Sequence, residues 1–235
     1  ILTQKAFADV LNADASPEIF NAGEGLISGG VYGIYQSTSD GTHPFIRLEN
    51  LGTIYGGDTG ISADRSDSME IVNAGTIEGG KGTAILFSQD KSHNTSTLTL
   101  KTGSKILGKV TGPAWGDSAL MLQGRGEQDM SGFSQMNHVG IMNPGDRWRL
   151  TGNGRFTGNA TSTYSGMSTD GTLILDGDFV TTHLDVRSTG ELTGGGSLTG
   201  NVFVYGGELT GRQGQTLNIF GDLTMWGGNI NVALG

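Results

Sequence analysis

A short glycine-rich motif recurs along this chain. Its three clearest copies are NAGEGLISGG at 21–30, NLGTIYGG at 50–57 and NAGTIEGG at 73–80. A looser fourth copy is TGSKILGKV at 102–110, and a second pattern, GELTG, occurs at 190–194 and again at 207–211. A repeat of about 17 to 29 residues is too short to bury its own apolar face, so each copy must stack on its neighbours. The chain is therefore expected to fold as a repeat array.

The residues between the glycines indicate strands rather than helices. Apolar residues alternate with threonine, as in Leu98-Thr99-Leu100, and Thr, Val and Ile are enriched, which is typical of strands. Glycine and asparagine supply the positive φ that tight corners require. This pattern predicts an all-β fold, a right-handed, single-stranded parallel β-helix (β-solenoid). At about 21 residues a turn the chain would make roughly eleven turns, and the apolar spacing over 2–12 suggests a short N-terminal capping helix.

The repeat also predicts which side chains stack along the array. The isoleucines of the four motif copies form one buried column, Ile27, Ile54, Ile77 and Ile106. A second buried column lies seven residues further on and contains Ile34, Ile61 and Ala84. The motif asparagines form a third column at a corner, where their amides hydrogen-bond along the array: Asn21, Asn50 and Asn73. All three columns are interpreted as scaffold.

Composition excludes several classes of protein. The 42 glycines have no G-X-Y period and there are only 4 prolines, which excludes collagen. No apolar run approaches the roughly 18 residues of a membrane-spanning helix. The net charge of −9 argues against binding to duplex nucleic acid, which requires a basic face. The absence of cysteine removes disulfides, thiolate metal sites and cysteine nucleophiles.

Several segments resemble the passenger domains of bacterial autotransporters. The stretch FSQMNHVGIMNPGDRWRLTGNGRF at 133–156 is similar to a passenger segment in which an aromatic residue, a short strand and a W-x-L-T-G turn follow one another. Residues 171–235 are similar to the last passenger turns, and NxGTIxGG followed by AILF and TLTLKTGSKILGKVTG also resembles passenger sequence. The resemblance covers 20–235 and implies a β-helix that is exported through the periplasm and then secreted or displayed on the outer membrane. It further implies that a signal segment and a C-terminal outer-membrane β-barrel lie outside this sequence.

The expected organisation is a single β-helix domain over 1–235. It would consist of an N-terminal cap or irregular segment at 1–19, loop-bearing turns at 20–170, and regular turns at 171–235 that resemble an autochaperone-like region. Insertions that break the period fall in the middle part, and protruding loops are where recognition usually resides.

Few sequence motifs indicate catalysis or metal binding. Gly116-Asp117-Ser118 resembles a serine-hydrolase motif, but Ala119 follows where GDSG or GDSL would continue, and a nucleophile also needs a histidine base. Ser118 is therefore interpreted as structural. Asp176 and Asp178 would share one strand face, but the nonapeptide of calcium β-rolls is missing. No catalytic residue, metal or cofactor is expected.

One central segment is basic. Residues 91–116 carry no acid and four lysines, Lys91, Lys101, Lys105 and Lys109. These lysines are either solvated and partly paired with acids on neighbouring turns, or they form an anion-binding patch for glycosaminoglycan or acidic receptor loops.

These observations favour a non-enzymatic passenger that engages a host cell, as an adhesin or as a released receptor ligand or virulence effector. Its expected partner is a host cell-surface protein receptor or a glycosaminoglycan, with no nucleic acid, and the protein is expected to be a monomer. Two alternatives stay open: a secreted hydrolase that uses Ser118, and a structural or self-association rod.

Overall fold

The computed structural model of this protein describes residues 18–36, 45–63, 68–90, 94–159, 161–162 and 164–233. These residues form an all-β protein whose parallel sheets stack as a β-solenoid, which confirms the predicted fold class. Within these ranges one short 3-10 helix, Met130–Gly132, interrupts the strands. The predicted capping helix over 2–12 lies outside the described residues. No helix in the described ranges is long and apolar enough to cross a membrane.

The strands are short and are separated by glycine-containing corners. In the first half of the chain they are β1 (Glu18–Asn21), β2 (Leu26–Gly29), β3 (Tyr32–Gln36), β4 (Ile46–Asn50), β5 (Thr53–Gly56), β6 (Thr59–Ala63), β7 (Met69–Asn73), β8 (Thr76–Leu86), β9 (Asn94–Leu100), β10 (Lys105–Thr111) and β11 (Gly116–Leu122). In the second half they are β12 (Arg125–Asp129), β13 (Phe133–Ser134), β14 (His138–Ile141), β15 (Arg147–Phe156), β16 (Gly166–Thr169), β17 (Thr172–Val186), β18 (Glu191–Gly194), β19 (Ser197–Val204), β20 (Glu208–Thr210), β21 (Asn218–Phe220), β22 (Leu223–Met225) and β23 (Asn229–Asn231).

The chain divides into two compact units. The first comprises Ile1–Ser118, Gly132–Gln135 and Asn159–Ser162, and the second comprises Ala119–Ser131, Met136–Gly158 and Thr163–Gly235. In the first unit the strands follow the orders β1-β4-β7-β9 and β2-β5-β8-β10-β13, with β3 and β6 joined to β8. In the second unit β14-β16-β17-β18-β20-β23 form one path, β15 lies between β12 and β17, and β19 lies between β17 and both β21 and β22.

The solenoid has about eight turns, fewer than the roughly eleven expected from an even repeat. The reason is that several turns are long. The parallel pairing places Glu18 beside Arg47 and His138 beside Gly166, so these turns take 29 and 28 residues. Insertions lengthen a turn without adding a strand, because a surface loop adds little entropic cost.

The first isoleucine column is in register along the sheet of the first unit. Ile27 pairs with Ile54, Ile54 with Ile77 and Ile77 with Ile106. Ile54 and Ile77 are fully buried, whereas Ile27 and Ile106 are only half-buried. The expectation of four buried members is therefore wrong at both ends. Ile27 lies on the last strand of this sheet, β2, and the pairing of β10 with β13 is formed at Val110 and Thr111, beyond Ile106.

The second column differs from the prediction by one residue. Ile34 pairs with Ile61, and Ile61 pairs with Ile85 rather than with Ala84. Both Ala84 and Ile85 are buried, but only Ile85 occupies the column. The corner within β8 is one residue longer than the corner between β5 and β6, and Gly82 in this corner has a φ of 89°. A β-carbon on Gly82 would meet nothing within 4 Å, so this glycine is required by its backbone angle alone.

The asparagine column is a continuous hydrogen-bonded ladder. Asn21 Nδ2 donates to Asn50 Oδ1 at 2.7 Å, and Asn50 Nδ2 donates to Asn73 Oδ1 at 2.7 Å. Asn50 Nδ2 also donates to the carbonyl of Thr76 at 3.1 Å. All three asparagines are buried, so these bonds satisfy amides that would otherwise be costly to remove from water.

Candidate binding face

Ser118 is placed by β11 with its side chain buried. Its Oγ donates a hydrogen bond to the carbonyl of Gln135 at 2.9 Å, and 2% of the residue is exposed. Gln135 adopts a φ of 57°, an uncommon value for a residue with a side chain. The hydroxyl is therefore hydrogen-bonded to a turn that has an unusual backbone.

The predicted basic residues do not all lie in one patch. Lys91 lies outside the described residues. Lys101 Nζ lies 3.5 Å from Glu49 Oε1, so this lysine is paired with an acid two turns away. Lys105 and Lys109 both lie on β10 and are exposed, and neither has an ion-pair partner in the part of the chain that the structure describes.

A group of aromatic side chains stands on the outer surface of the second unit. We call it the aromatic face, and its members are His183, Phe203, Tyr205 and Trp226. The rings of Tyr205 and Trp226 are stacked, with centroids 4.9 Å apart and planes at 10°. The ring centroid of Phe203 lies 5.7 Å from that of Trp226 and 6.2 Å from that of His183. Tyr205 is 45% exposed and Trp226 is 60% exposed.

Strand register brings these rings together. Val186 pairs with Val204, and Val204 with Met225, in three successive turns. Val186 and Val204 are fully buried, and because side chains alternate along a strand, the residues beside them face outward. The amide of Tyr205 donates to the carbonyl of Val186 and that of Trp226 to the carbonyl of Val204, each at 2.8 Å. The pairing thus continues past the strand ends and stacks Tyr205 beneath Trp226.

The charged neighbours of the aromatic face are mostly acidic. Asp185 pairs in register with Phe203, and Asp222 follows Gly221 at the start of the last turn. Arg187 follows Val186, which pairs with Val204, and its Nη1 lies 3.2 Å from Asp170 Oδ2. Because Arg187 is neutralised by Asp170, the surroundings of the rings carry a net negative charge.

An open groove begins where the aromatic face ends. We call it the acidic groove, and it is lined by Thr172, Ser188, Thr189, Gly190, Glu191, Gly206 and Glu208. Gly206 directly follows Tyr205 in the chain, so the groove adjoins the segment that carries Tyr205. Glu191 and Glu208 lie in register on β18 and β20. Glu191 Oε2 accepts a hydrogen bond from Thr172 Oγ1 at 3.0 Å, and no described lysine or arginine forms an ion pair with either glutamate.

A buried histidine lies on the same sheet. His138 Nε2 is 3.3 Å from Ser168 Oγ, and the ring of Tyr164 packs against the imidazole with centroids 4.4 Å apart. Burial, and then the charges of Arg187 and His183, lower the pKa of His138 to about 4. The imidazole is therefore neutral near pH 7. Both His138 and Ser168 are buried, so this contact packs a polar pair into the wall rather than presenting a nucleophile.

Sequence reasoning missed the aromatic face and the acidic groove. The residues of both features come from turns of unequal length, so they do not recur at a fixed spacing in the sequence. Within the described residues, no group of three or more His, Asp or Glu side chains is placed to hold a metal ion. Comparisons with protein-family models, with curated proteins and with solved structures find no match to this chain.

Proposed function

We propose that this protein is a non-enzymatic binding protein of the autotransporter-passenger type, secreted or displayed on the surface of a Gram-negative bacterium, that engages a host cell. The observation that carries the proposal is the exposure of Tyr205 and Trp226 on the aromatic face. Clustered aromatic rings that remain open to solvent mark interaction surfaces, and Trp and Tyr are enriched among the residues that dominate binding energy.

The framework beneath the rings favours binding. Val186, Val202 and Val204 are fully buried directly under the aromatic face. Tyr205 and Trp226 also hold each other through stacking. Side chains that are ordered before a partner arrives lose little entropy on binding, so more of the contact energy contributes to affinity.

A second binding function is supported by Lys105 and Lys109, which are exposed and unpaired among the described residues. They would attract a glycosaminoglycan or acidic receptor loops. The overall charge of −9 opposes such partners elsewhere on the protein, so we expect this patch to contribute less than the aromatic face.

Binding of labelled protein to host cells separates these possibilities. We expect Tyr205→Ala/Trp226→Ala to weaken binding at least about tenfold, because truncating such residues commonly costs about 2 kcal/mol or more. Lys105→Gln/Lys109→Gln should weaken it only slightly, and competing heparin should have a similarly small effect. Tyr32→Ala is the matched control, because Tyr32 is an exposed ring stacked on Tyr35 in the first unit.

Unchanged binding by folded Tyr205→Ala/Trp226→Ala protein would overturn the proposal. Ser118→Ala tests the hydrolase alternative in the same assay. We expect this variant to bind like the parent protein, and loss of activity in folded Ser118→Ala protein would favour a hydrolase.

A further inference from the structure

We infer that the aromatic face and the acidic groove together form one binding site for a basic segment of a partner protein, in which lysine or arginine alternates with apolar side chains. The inference rests on the proposed function, because it names the class of partner that the aromatic face takes. It goes beyond that function in committing to a cationic partner and in assigning Glu191 and Glu208 to the site.

First, the negative charge of the groove is uncompensated by any described lysine or arginine. Glu191 and Glu208 are directly opposite each other on adjacent parallel strands, so their backbones are about 4.8 Å apart. Like charges in this position destabilise a sheet. Hydrogen bonds from Thr172 to Glu191, and from Asn229 and Asn231 to Glu208, orient the two carboxylates but add no positive charge. A guanidinium or ammonium group in the groove would relieve the repulsion.

Second, the rings of the aromatic face can hold a cation and its aliphatic stem. The face of an aromatic ring attracts a cation, most strongly for Trp and Tyr, and the aliphatic stems of Lys and Arg pack well on apolar surface. Tyr205 directly precedes Gly206, which belongs to the groove lining. A basic side chain can therefore place its charge between the carboxylates while its stem covers exposed ring surface.

Third, this arrangement disfavours anionic and neutral partners. An anionic polysaccharide would be repelled by Asp185, Glu191 and Glu208, and Arg187 offers it no free charge because Asp170 is 3.2 Å away. A neutral saccharide could stack on the rings and donate hydroxyl hydrogen bonds to the glutamates, but it would leave their paired negative charge uncompensated. The combination of rings and carboxylates thus selects a cationic partner.

The test uses the whole chain and a labelled peptide of alternating arginine and leucine. The matched peptide replaces arginine with citrulline, which keeps the shape and removes the charge. Binding is followed by fluorescence anisotropy at low and at physiological salt. We expect the arginine peptide to bind at least about tenfold more tightly than the citrulline peptide, with the difference shrinking as salt is added.

Variants locate the site. Glu191→Gln/Glu208→Gln and, separately, Trp226→Ala should each weaken binding of the arginine peptide by about tenfold. The control, Glu24→Gln/Asp90→Asn, removes the same charge from exposed positions of the first unit and should leave this binding unchanged. Equal binding of the two peptides would overturn the inference. Tighter binding of heparin or of maltohexaose than of the arginine peptide would also overturn it.

Host-cell binding distinguishes failure of the inference from failure of the proposed function. If Glu191→Gln/Glu208→Gln protein binds cells normally while Tyr205→Ala/Trp226→Ala protein does not, the proposed function stands and the cationic partner is wrong. If neither pair of substitutions affects cell binding, both are wrong.

Discussion

Residues at the same motif position contribute unequally to stability, because two residues can share a register position and differ in burial. Ile27, Ile54, Ile77 and Ile106 share one column, yet only the two middle members are fully buried. The desolvation penalty of a polar replacement depends on burial and not on membership of the motif. Substitutions at equivalent positions should therefore have unequal effects.

Ile77→Asp should prevent folding of the first unit, because an unpaired carboxylate buried at this position costs several kcal/mol, about 4 or more. Ile27→Asp, at the half-buried end of the column, should leave a folded protein with a lower melting temperature. Circular dichroism and protease resistance report both outcomes. A soluble, protease-resistant Ile77→Asp protein would contradict the assigned column.

His138 should make the protein less stable as the pH falls. Its pKa in the folded protein is about 4, below the usual value of about 6.5 in an unfolded chain. Between these pH values the unfolded chain binds a proton that the folded protein does not, so acidification destabilises the fold by about 3 kcal/mol in total.

The measurement is the free energy of unfolding in urea from pH 7 to pH 4. His138→Phe should remove most of this pH dependence, because it removes the buried imidazole. If the free energy of unfolding depended equally on pH in the parent and His138→Phe proteins, His138 would not be the group responsible.

Among the strands, β17 makes the most varied contacts. It pairs with β15, β16, β18 and β19 in the second unit. Its Asp176 is almost fully buried and accepts hydrogen bonds from Arg149 on β15 at 2.6 Å and from Arg212 at 3.1 Å. Side chains from three turns thus meet at the carboxylate of Asp176. This cluster stabilises β17 in the part of the strand that lies between its different partner strands.

Asp176→Asn should destabilise the protein at pH 7 by about 2 kcal/mol, because it removes the negative charge that Arg149 and Arg212 share. Burial opposes ionisation of Asp176, but hydrogen bonds from Arg149, Gly195 N–H and Arg212 outweigh it and keep the pKa of this carboxyl below its usual value.

A depressed folded-state pKa gives stability that is present above the unfolded value, about 4, and is lost as the pH falls through the folded value. The difference in unfolding free energy between parent and Asp176→Asn proteins should therefore narrow below about pH 4. Asp178→Asn on the same strand is the control, since its exposed side chain receives one hydrogen bond, from Ser197. A difference independent of pH would rule out the charge of Asp176 as the cause.

Across the whole molecule, contacts are made between neighbouring turns, so stability need not be uniform along the chain. The longest strands are β17 and β8, with 15 and 11 residues, followed by β15 with 10. The strands β21, β22 and β23 have three residues each, and the side chains of Phe220, Ile230 and Val232 are exposed. The regular region expected at 171–235 therefore contains both strongly and weakly packed turns.

Hydrogen exchange should find the slowest amides in β15, β17 and β19, and faster exchange in β21–β23. This pattern follows because β17 is paired on both sides and its side chains Leu173, Leu175 and Phe179 are buried. Mass spectrometry of the exchanging protein gives the order. Slower exchange in β1–β6 than in β17 would contradict this order.

The solenoid class and the pairing of motif residues in the isoleucine and asparagine columns follow from the sequence alone, because identical residues at a repeated position must meet identical neighbours in adjacent turns. The sequence alone does not show that Ile85, and not Ala84, occupies the second column. A single extra residue at a corner changes the register without changing the motif. The aromatic face and the acidic groove were decided only by tertiary structure. Phe203 meets Asp185 and Tyr205 meets Trp226 across turns of different length, and the distance between two side chains in such an array depends on the length of every corner between them, which local sequence does not encode.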